Sequence, residues 1–93
     1  MDREIEFIYE SHENIVQEDT GFPALAIVGT RADTGRKLRI ISGEASSNTP
    51  DQGSIIQDLQ SSKILLKMKN RRFASFRSKL YEFDIDKVEP ISR

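Results

Sequence analysis

"ALAIVGTRADTGRKLRIIS", residues 24 to 42, is two apolar segments joined by a short polar turn. Gly35 in that turn can adopt the positive φ that a short hairpin loop with a bulge requires. "ALAIVGT" and "RKLRIIS" therefore read as an antiparallel pair. The same pairing sets Arg31 against Arg36 across the loop, a like-charge contact that costs stability unless solvent screens it or an anion lies between.

Downstream, "SKILLKMK" (62–69) and "LYEFDID" (80–86) alternate with period two. Ile64, Leu66 and Met68 form one inner row, and Tyr81, Phe83 and Ile85 the other. An antiparallel hairpin that opposes these rows sets Lys67 against Glu82 and Lys63 against Asp86, complementary on both faces. Between the two strands this reading leaves a basic tip that holds Phe73 and Phe76.

The N-terminal segment carries two patterns. As a strand, "EIEFIYE" puts Ile5, Phe7 and Tyr9 on one face. As a helix, Ile5, Ile8, Tyr9, His12, Ile15 and Val16 follow i, i+3, i+4 spacing. The β-branched and aromatic content favours a strand over residues 4 to 9. "SIIQDLQSS" reads as a short helix over 55–61, with Ser54 as N-cap and Gln57 at capping-box spacing. The Ser/Gly/Asn/Pro-rich stretch before it reads as a flexible polar loop, 43–53. The fold class expected is α+β or mainly β, a single domain spanning 1–93: a small antiparallel sheet or open barrel of about five strands with one short helix.

Ninety-three residues bury only about 60 to 65% of their unfolded surface, which leaves little material for a deep active-site cleft. With no cysteine, disulfides, thiolate nucleophiles and cysteine-ligated zinc are excluded, and a reducing, cytoplasmic setting fits. The apolar runs are too short to span a bilayer and the acidic N-terminus lacks a signal peptide's basic start, so a soluble, unprocessed chain without membrane association is expected.

A formal net charge of -1 hides an asymmetry. Residues 1–20 carry seven acids against Arg3, while residues 59–79 carry seven cations and no acid. Such blocks either neutralise each other in the fold or face a polyanion. The function expected is a small non-enzymatic binding module for single-stranded DNA or RNA. Lys69, Arg71, Arg72, Arg77 and Lys79 would contact phosphates, Phe73 and Phe76 would either contact bases or fold back as a lid on the small core, and Arg31, Arg36 and Lys37 would extend the track. The alternative is a protein-interaction module, an accessory subunit, inhibitor or regulatory adaptor, docking charged surfaces on a partner protein. Self-pairing of an acidic strand with a basic strand of a second copy leaves a homo-oligomer open.

Catalytic and metal readings are weak. His12, the single histidine, has no recognisable nucleophile to serve. Asp84, Asp86 and Glu89 could bind a hard cation, but outward positions of a strand account for Asp84 and Asp86 equally well. No phosphate-loop pattern is present. No catalytic residue, metal site or cofactor is expected.

Overall fold

A computed structural model describes residues 3–47 and 52–91. Strands β1 (Arg3–Val16), β2 (Pro23–Arg31) and β3 (Lys37–Ser42) form a meander. Helices α1 (Gly43–Ser47) and α2 (Gln52–Ser61) follow, then β4 (Ile64–Lys69), β5 (Arg72–Arg77), β6 (Glu82–Asp84) and β7 (Lys87–Pro90). All seven strands make one antiparallel sheet in the order β6-β5-β4-β1-β2-β3-β7, curled into a half-barrel. This is the small sheet with minor helix that the sequence implies.

The curl follows from connectivity. β6 and β7 lie at opposite edges of the sheet, yet only Ile85 and Asp86 separate them in sequence. The edges must come together there. Ile85 N–H donates to the Ala74 carbonyl of β5 at 3.3 Å, and Asp86 N–H donates to the Ile41 carbonyl of β3 at 2.8 Å. The Asp86 carboxylate also accepts from Gly43 N–H at 2.9 Å, which holds the first turn of α1.

Inside the curl lie Ile5, Phe7, Leu25, Ile27, Leu38, Ile40, Ile64, Leu66 and Phe76, roofed by Ile55 and Leu59 of α2, each at most 6% exposed. Each such side chain contributes roughly 1.5 to 3 kcal/mol relative to leaving it in water. α2 begins before Ser54, so Ser54 lies within the helix rather than capping it. The four-residue spacing of Ile55 and Leu59 fixes its buried face. The Asp58 carboxylate accepts from Ser62 Oγ at 2.9 Å and from Ser78 Oγ, which ties α2 to the chain leaving β5. Of the polar loop expected at 43–53, Gly43–Ser47 is helical, α2 starts at Gln52, and 48–51 lie outside the described residues.

Two bulges correct the sequence reading. In β1, Tyr9 pairs with Gly29 and Ser11 with Val28, so Glu10 is an extra residue and β1 stays a strand beyond residue 9. Tyr9 and His12, three apart, consequently share the inner side, with Tyr9 Oη hydrogen-bonded to His12 Nδ1. The helical spacing was the signature of a bulge. In β5, Lys67 pairs with Ser75 and Met68 with Phe73, so Ala74 is the extra residue. β4 therefore pairs with β5, not with 80–86, and the expected Lys67–Glu82 and Lys63–Asp86 rungs do not form. Lys67 faces Ser75 on one side and Glu4 on the other, while Lys63 Nζ lies 3.7 Å from Glu6.

β1 and β4 are both interior strands, paired on each side, which closes the route to a dimer through them. The edge strands are only three and four residues long. Ile91 N–H donates to Lys37 O, so in β7 the odd-numbered residues bond to β3 and the backbone of Pro90 faces the free edge. Proline offers no donor there, which blunts the edge against strand addition.

Gly29 sits where β1 presses closest on β2. A Cβ at this position would lie 2.2 Å from Ile8 O and 2.6 Å from Phe7 Cζ. Gly29→Ala is expected to destabilise the protein by about 3 kcal/mol, the upper range for overpacking, because backbone must move. Urea unfolding checks this. A midpoint unchanged from wild type would contradict the register at the β1 bulge.

Candidate functional site

β1 presents an acidic outer row, Glu4, Glu6, Glu10 and Glu13, with basic strands on either flank. Arg77 of β5 pairs with Glu4, and Lys63, just before β4, with Glu6. From the other flank, Lys37 Nζ lies 3.0 Å from Glu10 and Arg39 Nη2 3.0 Å from Glu13. The latter two reach from β3 across β2, whose outward residues there, Ala26, Val28 and Thr30, are short enough to let long stems pass. Arg39 also binds Glu89 of β7 at 3.1 Å. Burial works against its charge, but Glu13 and Glu89 together raise its pKa above the ordinary value. The acidic row is thus taken up by cations from both flanks, whereas only Lys63 and Arg77 of the basic 59–79 block find partners in it.

Among the described residues, the cations without an ion pair are Arg36, Lys67, Lys69, Arg71, Arg72 and Lys79. Four of these six, Arg36, Lys69, Arg71 and Arg72, share one end of the sheet. β1 pairs Arg3 with Met68 and Phe7 with Arg31, so the β4–β5 turn and the β2–β3 turn both lie at its N-terminal end. Side chains sew the turns together: the Arg31 guanidinium sits 5.4 Å from the centroid of the Phe73 ring, and Arg3 Nη2 lies 3.5 Å from Asp33. Arg31 also grips Asp33 through two hydrogen bonds of 2.9 and 2.6 Å.

The expected site residues separate into groups. Lys69, Arg71, Arg72 and Arg36 gather at this end, and Lys67, outside the expected set, lies further along the outer face of β4. Arg77 and Lys37 are committed to glutamates of β1. Arg31 does oppose Arg36, its N–H donating to Arg36 O at 2.9 Å, but Asp33 takes up its charge. Lys79 lies at the far end of β5, beside Ser54 and Asp58 of α2. Phe76 is wholly enclosed in the core and tilts against Phe83 at 5.4 Å. Phe73 packs against the core from its edge with Arg31 over its ring. Neither phenylalanine belongs to a loop, and the aromatic half of the expected surface is replaced by core packing, as a chain with few large apolar residues requires.

The β4–β5 turn itself is unusual. Its two central residues, Asn70 and Arg71, have φ of 53° and 66°, the positive values of a type I′ hairpin turn. Asn suits the first position, but the second strongly favours glycine, and arginine there is strained by roughly 1 to 2 kcal/mol. On either side, Lys69 and Arg72 are directly opposed like charges, a second destabilising feature at the same place. Three cations are held in four consecutive residues, 69 to 72, against local preference.

The other candidates carry less. Of the possible hard-cation ligands, Asp86 holds Gly43 N–H and Glu89 holds Arg39; no cluster of three or more metal-ligating side chains occurs among the described residues. At the opposite end, Val16 and Phe22 are exposed, and Phe22 flanks an open hollow of about 480 Å³. Its polar groups are engaged within the fold, Asp19 with Lys87 at 3.0 Å and Asp86 with Gly43. No helix of the described residues is long and apolar enough to cross a membrane.

The Arg31 hydrogen bond holds the Asp33 carboxyl below its ordinary 3.8, with partial burial opposing. A carboxylate depressed in the fold contributes stability above the unfolded pKa and loses it as pH falls through the folded one. Wild type should therefore exceed Asp33→Asn in stability at pH 7 by about 1 kcal/mol or less, as surface pairs do. The gap should close as pH falls below about 4. Urea titrations of both proteins at pH 7 and pH 3 measure it, and an undiminished gap at pH 3 would contradict the clamp. No protein-family model, curated protein or solved structure matches this chain.

Proposed function

We propose that this protein is a non-enzymatic binding module that contacts nucleic acid through phosphates, using the cationic end built from Lys69, Arg71, Arg72 and Arg36, with Lys67 alongside. The observation that carries this reading is Arg71 at positive φ between two opposed cations. A tight turn freed of function would favour Asn-Gly, and strain of this kind is retained where a site needs the residue. A phosphate between Lys69, Arg71 and Arg72 turns their mutual repulsion into attraction. Among the described residues, the glutamates of β1 are already engaged by Arg77, Lys63, Lys37 and Arg39.

Stability and binding should consequently move in opposite directions at one residue. Arg71→Gly is expected to raise stability by about 1 kcal/mol through relief of the left-handed backbone, and to weaken binding to labelled oligonucleotides. In fluorescence anisotropy at two salt concentrations, Arg71→Glu with Arg72→Glu should abolish the low-salt signal. No binding at low salt, or binding indifferent to the double substitution, contradicts the proposal. One stoichiometric protein retained after nuclease treatment, and lost in the same double variant, would instead favour a protein-interaction module.

A further inference from the structure

We infer that the nucleic acid this end accepts is a B-form DNA duplex, held without sequence preference by two tips that rest on the backbones on either side of the major groove; the inference rests on the proposed function.

Single-stranded binders gain affinity by stacking bases on exposed aromatic rings. This end offers no fully exposed ring. Phe76 is fully enclosed, Phe73 is half-buried against the core with Arg31 over its ring, and Tyr81 and Phe83 stack on each other at 5.9 Å while packing against the core. Phe22, the aromatic left exposed among the described residues, lies at the opposite end. A flexible strand would have to be ordered by charge alone. A duplex arrives ordered, with one negative charge per roughly 1.7 Å of its axis.

The spacing of the tips agrees. At the cationic end the strand order is β5-β4-β1-β2-β3, so the centres of the two hairpins are three interstrand steps apart. At about 4.8 Å per step this is about 14 Å in a flat sheet, and curling shortens it. The major groove of B-DNA is about 12 Å wide. Lys69, Arg71 and Arg72 would meet one backbone and Arg36 the other. Arg31 and Arg3 meanwhile neutralise Asp33, the acid of the β2–β3 turn. With cations and Asn70 at the tips, little is available to read base edges.

Anisotropy with a random-sequence DNA duplex, one of its strands alone, and an RNA duplex of equal length tests this at one low salt concentration. The DNA duplex should bind about fivefold or more tighter than the single strand, in keeping with its higher charge density. It should also bind tighter than the RNA duplex, whose major groove is deep and narrow. Arg36→Gln, at an exposed residue without an ion pair, should weaken duplex binding by a larger factor than single-strand binding, because the duplex engages both tips at once. A single strand bound as well as the duplex, equal binding of the RNA duplex, or no effect of Arg36→Gln would overturn the inference and leave the proposed function standing. No binding to any of the three would overturn both.

Discussion

Ile85 and Asp86 are the constraint on which the rest of the fold depends. Two residues connect the strands at opposite edges of a seven-stranded sheet, so a flat arrangement is not available to this chain. Ile85 takes the carbonyl that the β5 bulge exposes at Ala74, and Asp86 takes the Ile41 carbonyl at the end of β3. The junction thus uses an irregularity of β5 and the terminus of β3, the strands next to the two edges. Through its carboxylate, Asp86 also fixes the start of α1. The curl encloses a single core around Phe7 and Phe76, and it brings Arg31 of β2 over Phe73 of β5, strands that are not neighbours in the sheet.

The charge pattern has a function only in that geometry. β1 carries a row of glutamates and lies between basic strands, so Lys63, Arg77, Lys37 and Arg39 find partners within the fold. Each exposed pair contributes little to stability, but together they decide where positive charge is left over. Apart from Lys79, the remainder collects toward the N-terminal end of β1, where two turns meet and the one acid of the β2–β3 turn is already held by Arg31 and Arg3. A chain with net charge near zero can in this way present a cationic end.

How much was legible in the sequence depended on regularity. The β2–β3 hairpin, marked by Gly35 and clean apolar segments, forms with the expected register. The helix around Ile55 and Leu59 and the sheet-based architecture were legible for the same reason. Where a bulge intervened, alternation misled. Inward Phe73 and Phe76 are three apart, which no regular strand permits, so they read as a loop; inward Tyr9 and His12 imitated a helix. The Asn70–Arg71 turn was hidden because arginine occupies the position where glycine announces a type I′ turn. Its concealment and its functional interest share a cause. Of the candidate site, the cations around 69–72 and Arg36 were legible. Their convergence at one end was not, because it depends on the pairing of β1 with both β2 and β4.

The central claim is that two turns distant in sequence act as one cationic surface. Backbone amide chemical-shift mapping during titration with a DNA duplex tests it most directly. The account predicts that perturbations appear together at Lys69–Arg72 and around Arg36, and spare Lys79, Leu80 and Phe22 at the other end. Perturbation of one turn without the other, or shifts centred on Phe22 or Lys79, would contradict it.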